Sequence, residues 1–231
     1  MTRLVACLVL LVATLALAPG PADAAPGPWA VKAEKRLNAL RCDAGRGDGR
    51  IDAHTRSAVV RFQSRVGLRQ TGHLDDRTRR HLYAEDAPRC DRRPVPRHSG
   101  QGRRIVISQH QNWVWLVGAS GRVLAEGGMV DNPRVLHRGT HATGSYCGRG
   151  GRIRLNQAVS GTLWLDDFVR FAPCGIGFHR IPRWKSNGRQ MHADWILGTD
   201  LATSHGCIRL SRGLAHQVWA FTTRRTQVRV V

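Results

Sequence analysis

One run of the sequence, Thr203-Ser204-His205-Gly206-Cys207-Ile208-Arg209-Leu210, places a thiol, an imidazole and a guanidinium within a few residues of one another. A cysteine becomes an effective nucleophile only as the thiolate, so it needs a nearby imidazole or positive charge. The glycine lets the backbone approach closely, which suits amide donors that face a developing oxyanion. The arginine can hold a substrate carboxylate through two hydrogen bonds. The run predicts a nucleophile at Cys207, with oxyanion or substrate-binding roles for Ser204, His205, Gly206 and Arg209.

The beginning of the chain predicts where the protein works. Arg3 is followed by an apolar run from Leu4 to Ala18 and by the small-residue triplet Ala22-Asp23-Ala24. This order is typical of a secretory signal peptide with cleavage after Ala24. The apolar run is shorter than the ~18–20 residues that a membrane-spanning helix needs. We therefore expect residues 1–24 to be a signal peptide and the mature protein to be secreted, without a stable membrane span.

The cysteine count fits an exported protein with one reactive thiol. Of six cysteines one lies in the signal segment, which leaves five. Outside the cytoplasm cysteines tend to pair, so two disulfides and one free thiol form the simplest arrangement. We expect the paired cysteines to be Cys42, Cys90, Cys147 and Cys174, and the sequence alone does not prove their pairing.

The formal net charge of +20 at pH 7 is large for this length. In an exported protein such a charge favours encounter with a polyanionic extracellular surface. Nucleic acid is the rival partner for a basic chain. The signal peptide and the lack of a base-reading motif argue against it, so we expect no nucleic-acid partner.

Two modules with different patterns follow the signal segment. Residues 25–90 show helical spacing of apolar residues, with Asp52 and either Asp75 or Asp76 able to cap the second and third of three short helices. Three short helices make a marginal core, which a disulfide between Cys42 and Cys90 would support by restricting the unfolded chain.

The rest of the chain has a β pattern. Residues 91–103 are rich in Pro, Arg, Gly and Ser and are typical of a linker. Short β-branched or aromatic runs then predict successive strands, and Ser211 can cap one helix. The predicted fold class is therefore multidomain, a small three-helix module followed by a β-rich domain at residues 104–231. The strand candidates are Ile105–Ile107, Trp113–Val117, Val123–Leu124, the region of Ile153, Gly161–Leu165, Gly175–Phe178 and Val228–Val231.

The helical module resembles a known family. Gly47-Asp48-Gly49-Arg50-Ile51-Asp52, the pair Phe62-Gln63 and the turn Thr71-Gly72 occur in order. Together they look like a peptidoglycan-binding domain of the three-helix type. The alternative is a generic helical bundle. The resemblance implies retention on the wall polymer and a cell-wall-associated location.

The second module resembles the L,D-transpeptidases with a YkuD-type catalytic domain, over about Arg104 to Val231. Besides the cysteine run, Thr140–Tyr146 and Gly177-Phe178-His179 are similar to family segments, although Ala142 stands where proline is common. The resemblance implies that Cys207 attacks a donor stem peptide, releases D-alanine and forms a thioester. An acceptor amine then makes a cross-link, or water gives carboxypeptidase activity.

The same resemblance implies the supporting residues. His179 would act as general base and acid, and the backbone carbonyl of Arg180 would be the third member of the triad. Backbone N–H groups around Gly206 and Cys207 would form the oxyanion hole. The resemblance implies no metal and no cofactor. It also implies that carbapenem-type inhibitors can bind.

The histidine assignment departs from the family pattern. His179 lies 28 positions before Cys207, longer than the usual spacing, and Pro182–Gly188 looks like an inserted loop or hairpin over the active site. His192 lies 15 positions before Cys207 and is an alternative base. We favour His179 because it ends an apolar, strand-like run. For His205 a structural hydrogen bond, and for Arg209 a stabilising ion pair, are equally good interpretations.

Two other functions compete with transpeptidation. A zinc-dependent peptidoglycan peptidase needs three or four converging ligands, and only Cys207 with His179, His192 and His205 forms a crowded set. The sequence has no H-E-x-x-H motif. A non-catalytic wall-binding protein with a decayed site is the third alternative, and the intact cysteine run argues against it.

Overall fold

The structure is a computed structural model that describes residues 27–231, apart from the side chain of Cys174. The predicted signal peptide lies outside the described residues. Within the described part, no helix is both long enough and apolar enough to cross a membrane.

The helical module consists of α1 (Pro28–Ala39), α2 (Ala53–Arg65) and α3 (Asp76–Tyr83). The Asp52 carboxylate accepts the Thr55 N–H at 2.8 Å, and the Asp75 carboxylate accepts the Thr78 N–H at 2.7 Å. Both contacts satisfy N–H groups that a helix start leaves unpaired, so the predicted caps are confirmed. Of the two candidates for the third helix, Asp75 is the one that caps α3.

The core of this module is small and covalently closed. Leu37, Phe62 and Leu82 are fully buried at its centre. The predicted disulfide is present, with Cys42 and Cys90 joined across 48 positions of sequence. It links the end of the first helical region to the end of the module.

Of the two cysteines predicted to form the second disulfide, the structure describes the side chain of Cys147 alone. Cys147 is disulfide-bonded. The side chain of Cys174 lies outside the described atoms, so the predicted pairing of these two cysteines stays a prediction. Cys207 is a free cysteine.

The remainder of the described chain is a mixed β-sheet with one further α-helix. The helix, α4 (Arg212–Phe221), starts at Ser211, whose Oγ accepts the Leu214 N–H as predicted. The strands are β1 (Arg104–Ser108), β2 (Trp113–Val117), β3 (Val123–Val130), β4 (Gly139–Ala142), β5 (Arg152–Gln157), β6 (Leu163–Arg170), β7 (Gly177–Arg180), β8 (Arg183–Trp184), β9 (Ile208–Leu210) and β10 (Gln227–Val230).

The strand order is β4-β10-β1-β2-β3-β9-β7-β6-β5, and β8 pairs with β6. β1 with β10 and β7 with β9 are parallel pairs, and the other pairs are antiparallel. Leu214, Ala215 and Val218 of α4 lie in the main core with apolar residues of the sheet. The predicted fold class, a three-helix module followed by a β-rich domain, is confirmed.

Three short strands, β4, β8 and β9, were not among the strands predicted from the sequence. β4 has the sequence Gly-Thr-His-Ala and lies at the sheet edge, where its residues are at least partly exposed. β8 is a two-residue strand in the region predicted as an inserted loop or hairpin, and it is followed by a 3₁₀ turn at Asp194–Ile196. β4 and β8 lack the alternation of apolar residues on which strand prediction depends. β9, Ile-Arg-Leu, alternates but has only three residues.

The two modules are in direct contact through a buried arginine of α2. Arg61 is 6% exposed, and its Nε and Nη2 donate to the carbonyl oxygen of Leu197 at 3.2 and 3.1 Å. Its Nη2 also donates to the carbonyl oxygen of Trp195 at 2.5 Å. The Trp195 ring stacks on His54, with ring centroids 5.1 Å apart. The segment between β8 and β9 is thus held by the helical module.

A second buried arginine ties the predicted linker to both modules. Arg93 donates through Nη1 to Ser64 Oγ at 2.9 Å and to the carbonyl oxygen of Gln111 at 2.6 Å. Its own carbonyl oxygen accepts the indole N–H of Trp115 at 2.9 Å. Burial lowers the pKa of Arg93 to about 9. This part of the segment is packed rather than free.

Candidate active site

The parallel pair β7 and β9 positions the chemistry-bearing residues. In this pair His179 is in register with Arg209, and Phe178 with Ile208. Residues in register on neighbouring strands direct their side chains to the same face of a sheet. Cys207 immediately precedes β9, at the position that follows Gly206. The sheet therefore brings His179 to the same place as Cys207 and Arg209, which lie together much later in the sequence.

The thiol of Cys207 is partly buried. Its Sγ donates to the carbonyl oxygen of Gly175 at 3.4 Å. Burial raises the pKa of the thiol, while the Gly177 backbone and the charges of Arg170 and Arg209 oppose that rise. The balance favours the protonated thiol at neutral pH, so a base must remove its proton before it can attack.

The His179 imidazole is suited to that task. It is 2% exposed, and its Nδ1 lies 2.5 Å from the carbonyl oxygen of Arg180. A carbonyl oxygen can only accept, so Nδ1 carries the proton and Nε2 keeps its lone pair. Burial lowers the pKa of His179 to about 4, and the nearby charge of Arg209 contributes. The ring is therefore neutral at pH 7 and can accept a proton at Nε2.

The turn before the cysteine is held by backbone contacts. Ser204 Oγ accepts the Gly206 N–H at 2.9 Å, and the Ser204 N–H donates to the carbonyl oxygen of Asp131 at 3.0 Å. Gly206 has φ of 124°, and a Cβ there would lie 2.8 Å from Val135 Cγ1. Only glycine fits this conformation and this space. Ser204 and Gly206 thus shape the turn that presents Cys207, and the Gly206 N–H is already in use.

Arg209 is a buried cation at the site. It is 7% exposed, and its Nε is buried without a hydrogen-bond partner. Within the described residues, the ion pairs recorded on this sheet are made by other arginines, including Arg180 and Arg183 with Asp166. The stabilising ion pair considered for Arg209 is therefore not found there. His205, the other uncertain residue of the run, is exposed on the turn.

The alternative base lies in the same neighbourhood. His192 Nδ1 contacts the carbonyl oxygen of Ala193 at 3.0 Å, and its Nε2 is buried without a partner. Burial lowers the pKa of His192, and the charge of Arg209 lowers it further. His192 shares the tautomer of His179. The difference is that His179 lies on the strand paired with β9, whereas His192 lies in the segment between β8 and β9.

Sequence reasoning missed Arg170 and Gly177. Arg170 ends β6, is 2% exposed and lowers the pKa of Cys207 through its charge. The sequence signal that could have found Arg170 is a single arginine at the end of an otherwise apolar and acidic strand, Leu163–Arg170. A Cβ at Gly177 would lie 2.7 Å from the Phe168 ring, so the absence of a side chain lets β7 pack against β6.

A cleft of about 510 Å³ lies beside the segment that resembles the Thr-rich family segment. Its walls also include the turn that follows α4. Neither Cys207 nor His179 belongs to its lining. The lining residues are Thr143, Gly144, Ser145, Tyr146, Gly151, Arg152, Thr222, Thr223, Arg224 and Arg225.

Possible metal ligands do not converge in the described part of the chain. No group of three or more His, Cys, Asp and Glu side chains there is arranged to hold a metal ion. The crowded set considered for zinc, Cys207 with the three histidines, does not form such a group among the described residues.

The fold and the site define a class: a three-helix module joined to a β-sheet domain that presents a free cysteine. The model of the peptidoglycan binding domain family matches residues 27–82. The model of the L,D-transpeptidase catalytic domain, YkuD, matches residues 89–230, which is more than half of the chain. The protein belongs to the L,D-transpeptidase catalytic domain family, and both resemblances predicted from the sequence are confirmed.

Among the solved structures that the chain resembles is an L,D-transpeptidase from Xylanimonas cellulosilytica, 22% identical, with a TM-score of 0.48, covering 93% of this chain and 100% of that chain. An L,D-transpeptidase from Stackebrandtia nassauensis is 17% identical, with a TM-score of 0.44 and coverages of 89% and 91%.

A fused Zn-dependent amidase/peptidase/peptidoglycan-binding domain-containing protein from Clostridium acetobutylicum is also 17% identical, with a TM-score of 0.42 and coverages of 89% and 96%. No curated protein matches the chain significantly.

Proposed function

We propose that this protein is a secreted cell-wall L,D-transpeptidase in which Cys207 is the nucleophile and His179 the general base and acid. One observation carries the proposal. The free thiol of Cys207 and the neutral imidazole of His179 both lie next to Arg209; His179 is on β7, and Cys207 immediately precedes the paired parallel strand β9. A thiol and a neutral base in one partly buried place are the two groups that acyl transfer by a cysteine requires.

The acylation half-reaction begins with proton transfer from the Cys207 thiol to Nε2 of His179. The sulfur then attacks the carbonyl carbon of the amide that joins an L-centre to D-alanine in the donor stem peptide. The tetrahedral intermediate expels the amine of D-alanine, which takes the proton back from the imidazolium. A thioester on Cys207 remains, and the Arg180 carbonyl stabilises the transient positive charge on His179.

The deacylation half-reaction uses the same base. An acceptor amine, from the side chain of a diaminopimelate residue, attacks the thioester carbon while His179 takes the amine proton. The sulfur leaves and is reprotonated, and the new amide is a cross-link. Water in place of the amine gives a carboxylic acid, which is carboxypeptidase activity.

The remaining site residues have supporting roles in this proposal. The Gly206 N–H is held by Ser204, so the Cys207 N–H is the better candidate for the oxyanion donor. The buried, unpaired Nε of Arg209 favours binding of a substrate carboxylate over a structural ion pair. The exposed His205 fits a contact with bound substrate, and His192 is the alternative base.

The partners follow from the family and the charge. The peptidoglycan-binding domain and the net charge of +20 support a cell-wall location and a wall-polymer partner. Carbapenem-type inhibitors would acylate Cys207 in place of the donor peptide. No observation on the described residues favours the zinc-dependent peptidase.

The test is product analysis by mass spectrometry after incubating the mature protein with tetrapeptide muropeptides. We expect released D-alanine together with cross-linked dimers, or trimmed tripeptides where water is the acceptor. Cys207→Ala should give neither product, while a metal chelator should leave the wild-type yield unchanged. Wild-type yields from Cys207→Ala would remove the nucleophile, and loss of activity on chelation would favour the zinc alternative.

A further inference from the structure

A second buried cation, Arg170, lies near the reactive cysteine. It is 2% exposed, and its Nη1 is buried with no hydrogen-bond partner among the described residues. Its Nε donates to the carbonyl oxygen of Gly150 at 3.3 Å. The ion pairs recorded in the described part of the chain do not include Arg170. A buried charge is costly unless it is paired, so this guanidinium is a donor available to an anionic ligand.

The register of the sheet places Arg170 and Cys207 on either side of one glycine. Arg170 on β6 is in register with Gly177 on β7. The next residue of β7, Phe178, is in register with Ile208 of β9. Cys207 immediately precedes Ile208, so it lies beside Gly177 on the side opposite to β6. Because Gly177 has no side chain, β7 places none between the guanidinium and the thiol at this position.

A second glycine, in the 3₁₀ turn that precedes β7, contacts both groups. The carbonyl oxygen of Gly175 accepts a hydrogen bond from Cys207 Sγ at 3.4 Å. A Cβ on Gly175 would lie 4.0 Å from Nη1 of Arg170. Burial and the charge of Arg149 lower the pKa of Arg170, whereas Cys207 raises it. A substrate held at the sulfur is therefore within reach of the unpaired Nη1.

Arg170 and Arg209 mark different sides of the sulfur. Arg209 is in register with His179, whereas Arg170 is in register with Gly177, two residues earlier on β7. In the proposed reaction the leaving amine takes its proton from His179, so the leaving amino acid lies in the row of His179 and Arg209. Arg170 then faces the acyl half of the donor, which stays on the sulfur as the thioester.

We propose that Arg170 binds a carboxylate on the acyl half of the donor peptide. It thereby selects donors in which the residue before D-alanine carries a free side-chain carboxylate. A diaminopimelate residue has this group, whereas its amide and lysine do not. A guanidinium pairs with a carboxylate through charge-assisted hydrogen bonds, so the ligand supplies the partner that Nη1 lacks. The inference rests on the proposed function and adds the substrate class of its donor.

A matched pair of donor tetrapeptides tests the proposal on the full mature chain. The two donors differ only in the side chain of the residue before D-alanine, which ends in a free carboxylate in one and in a carboxamide in the other. We expect wild type to show a kcat/KM for D-alanine release about 10–100-fold higher with the free carboxylate, the range for a hydrogen bond to a charged group.

Arg170→Gln tests whether the preference comes from this side chain. The variant should use the two donors within about threefold of each other, and its loss with the free carboxylate should appear mainly in KM, because the contact is present before and during the reaction. Arg170→Lys, which keeps the charge, should retain part of the preference. Arg154→Gln is the matched control, because Arg154 is exposed on β5 and pairs with Asp167. It should keep the preference of wild type.

A different role for Arg170, stabilising the thiolate alone, predicts a different result. Arg170→Gln would then slow both donors equally and shift the pH dependence of Cys207 alkylation by iodoacetamide, with the preference intact. That result, or equal use of the two donors by wild type, would overturn the proposal. Unfolding curves check each variant. If Arg170→Gln does not fold, the wild-type donor pair and the reduced preference of Arg170→Lys decide the question.

The outcome is separable from that of the catalytic proposal. Intact-mass measurement reports the acyl adduct on Cys207 whichever donor is used. An adduct that forms equally fast with both donors would overturn only the role of Arg170. The absence of any adduct on Cys207 with either donor would overturn the catalytic proposal itself.

Discussion

The groove between α1 and α3 (the α1–α3 groove) and the cysteine site have opposite physical arrangements. The groove is lined by Trp29, Lys32, Ala33, Leu74, Arg79 and Tyr83. In the groove, Trp29 and Tyr83 stand in solvent with cations over their rings. At the cysteine site, His179 and Arg209 are 2% and 7% exposed and the pKa of the histidine is lowered to about 4. One surface is accessible to solvent, whereas the other is buried and lowers the pKa of its histidine.

The difference reflects what each surface has to do. An exposed groove offers apolar area that a partner can reach without any proton transfer. Moving a proton between a thiol and an imidazole needs groups whose affinities for protons are set by burial and neighbouring charges. The comparison predicts that changes in the two regions affect different measurements.

The largest expected effect is at His179. His179→Ala should lower kcat about 10²–10⁴-fold, the range for loss of a general acid–base group, with wall binding unchanged. His192→Ala is the matched control, and we expect a much smaller loss. The reverse ranking in steady-state kinetics would transfer the base to His192.

The wild-type pH profile sharpens the same prediction. The neutral imidazole is the active form, so kcat/KM should fall as pH decreases through about 4, where His179 gains a proton. An acidic limb centred near the ordinary histidine value of about 6.5 would contradict the burial of His179.

A smaller effect is expected from the disulfide of the helical module. Replacing Cys42 and Cys90 by alanine opens a loop of 48 positions, for which chain entropy gives a loss of about 4 kcal/mol. Denaturant unfolding should show the helical module unfolding early while the β-sheet domain keeps its transition. Cys207→Ala, which breaks no disulfide, is the control, and equal stability of the two proteins would mean that the helical core is sufficient alone.

The smallest effect is expected at Arg61, where the helical module contacts the β-sheet domain. Arg61→Met removes the donors to Leu197 and Trp195 and leaves buried carbonyl groups unpaired, although it also removes a buried charge. We expect a net loss of about 1–3 kcal/mol in the free energy of unfolding. Arg56→Met, on an exposed position of the same helix, should change it by less than about 0.5 kcal/mol. A more stable Arg61→Met protein would show that desolvation outweighs the contacts.

Local signals in the sequence were sufficient for much of the fold. Asp52, Asp75 and Ser211 cap helices where the sequence predicted them, because a cap depends on contacts within a few residues. The disulfide between Cys42 and Cys90 was predicted from the small size of the module that it closes. The run at Cys207 and the strand that ends at His179 were also visible as local patterns.

Long-range pairing could not be predicted in the same way. The parallel pairing of β7 with β9 depends on the whole sheet, and it is what places His179 opposite Arg209. The buried Arg61 gave no signal, because a charged residue on a helix is usually in solvent. The role of Arg170 and the form of the α1–α3 groove depend on neighbours that are far away in sequence.

The most direct test of the central claim is the intact mass of the protein during reaction with a donor tetrapeptide or a carbapenem. The account predicts an acyl adduct on wild type that peptide mapping locates to Cys207, and no adduct on Cys207→Ala. An adduct located on any other residue, or the same adduct on Cys207→Ala, would contradict it.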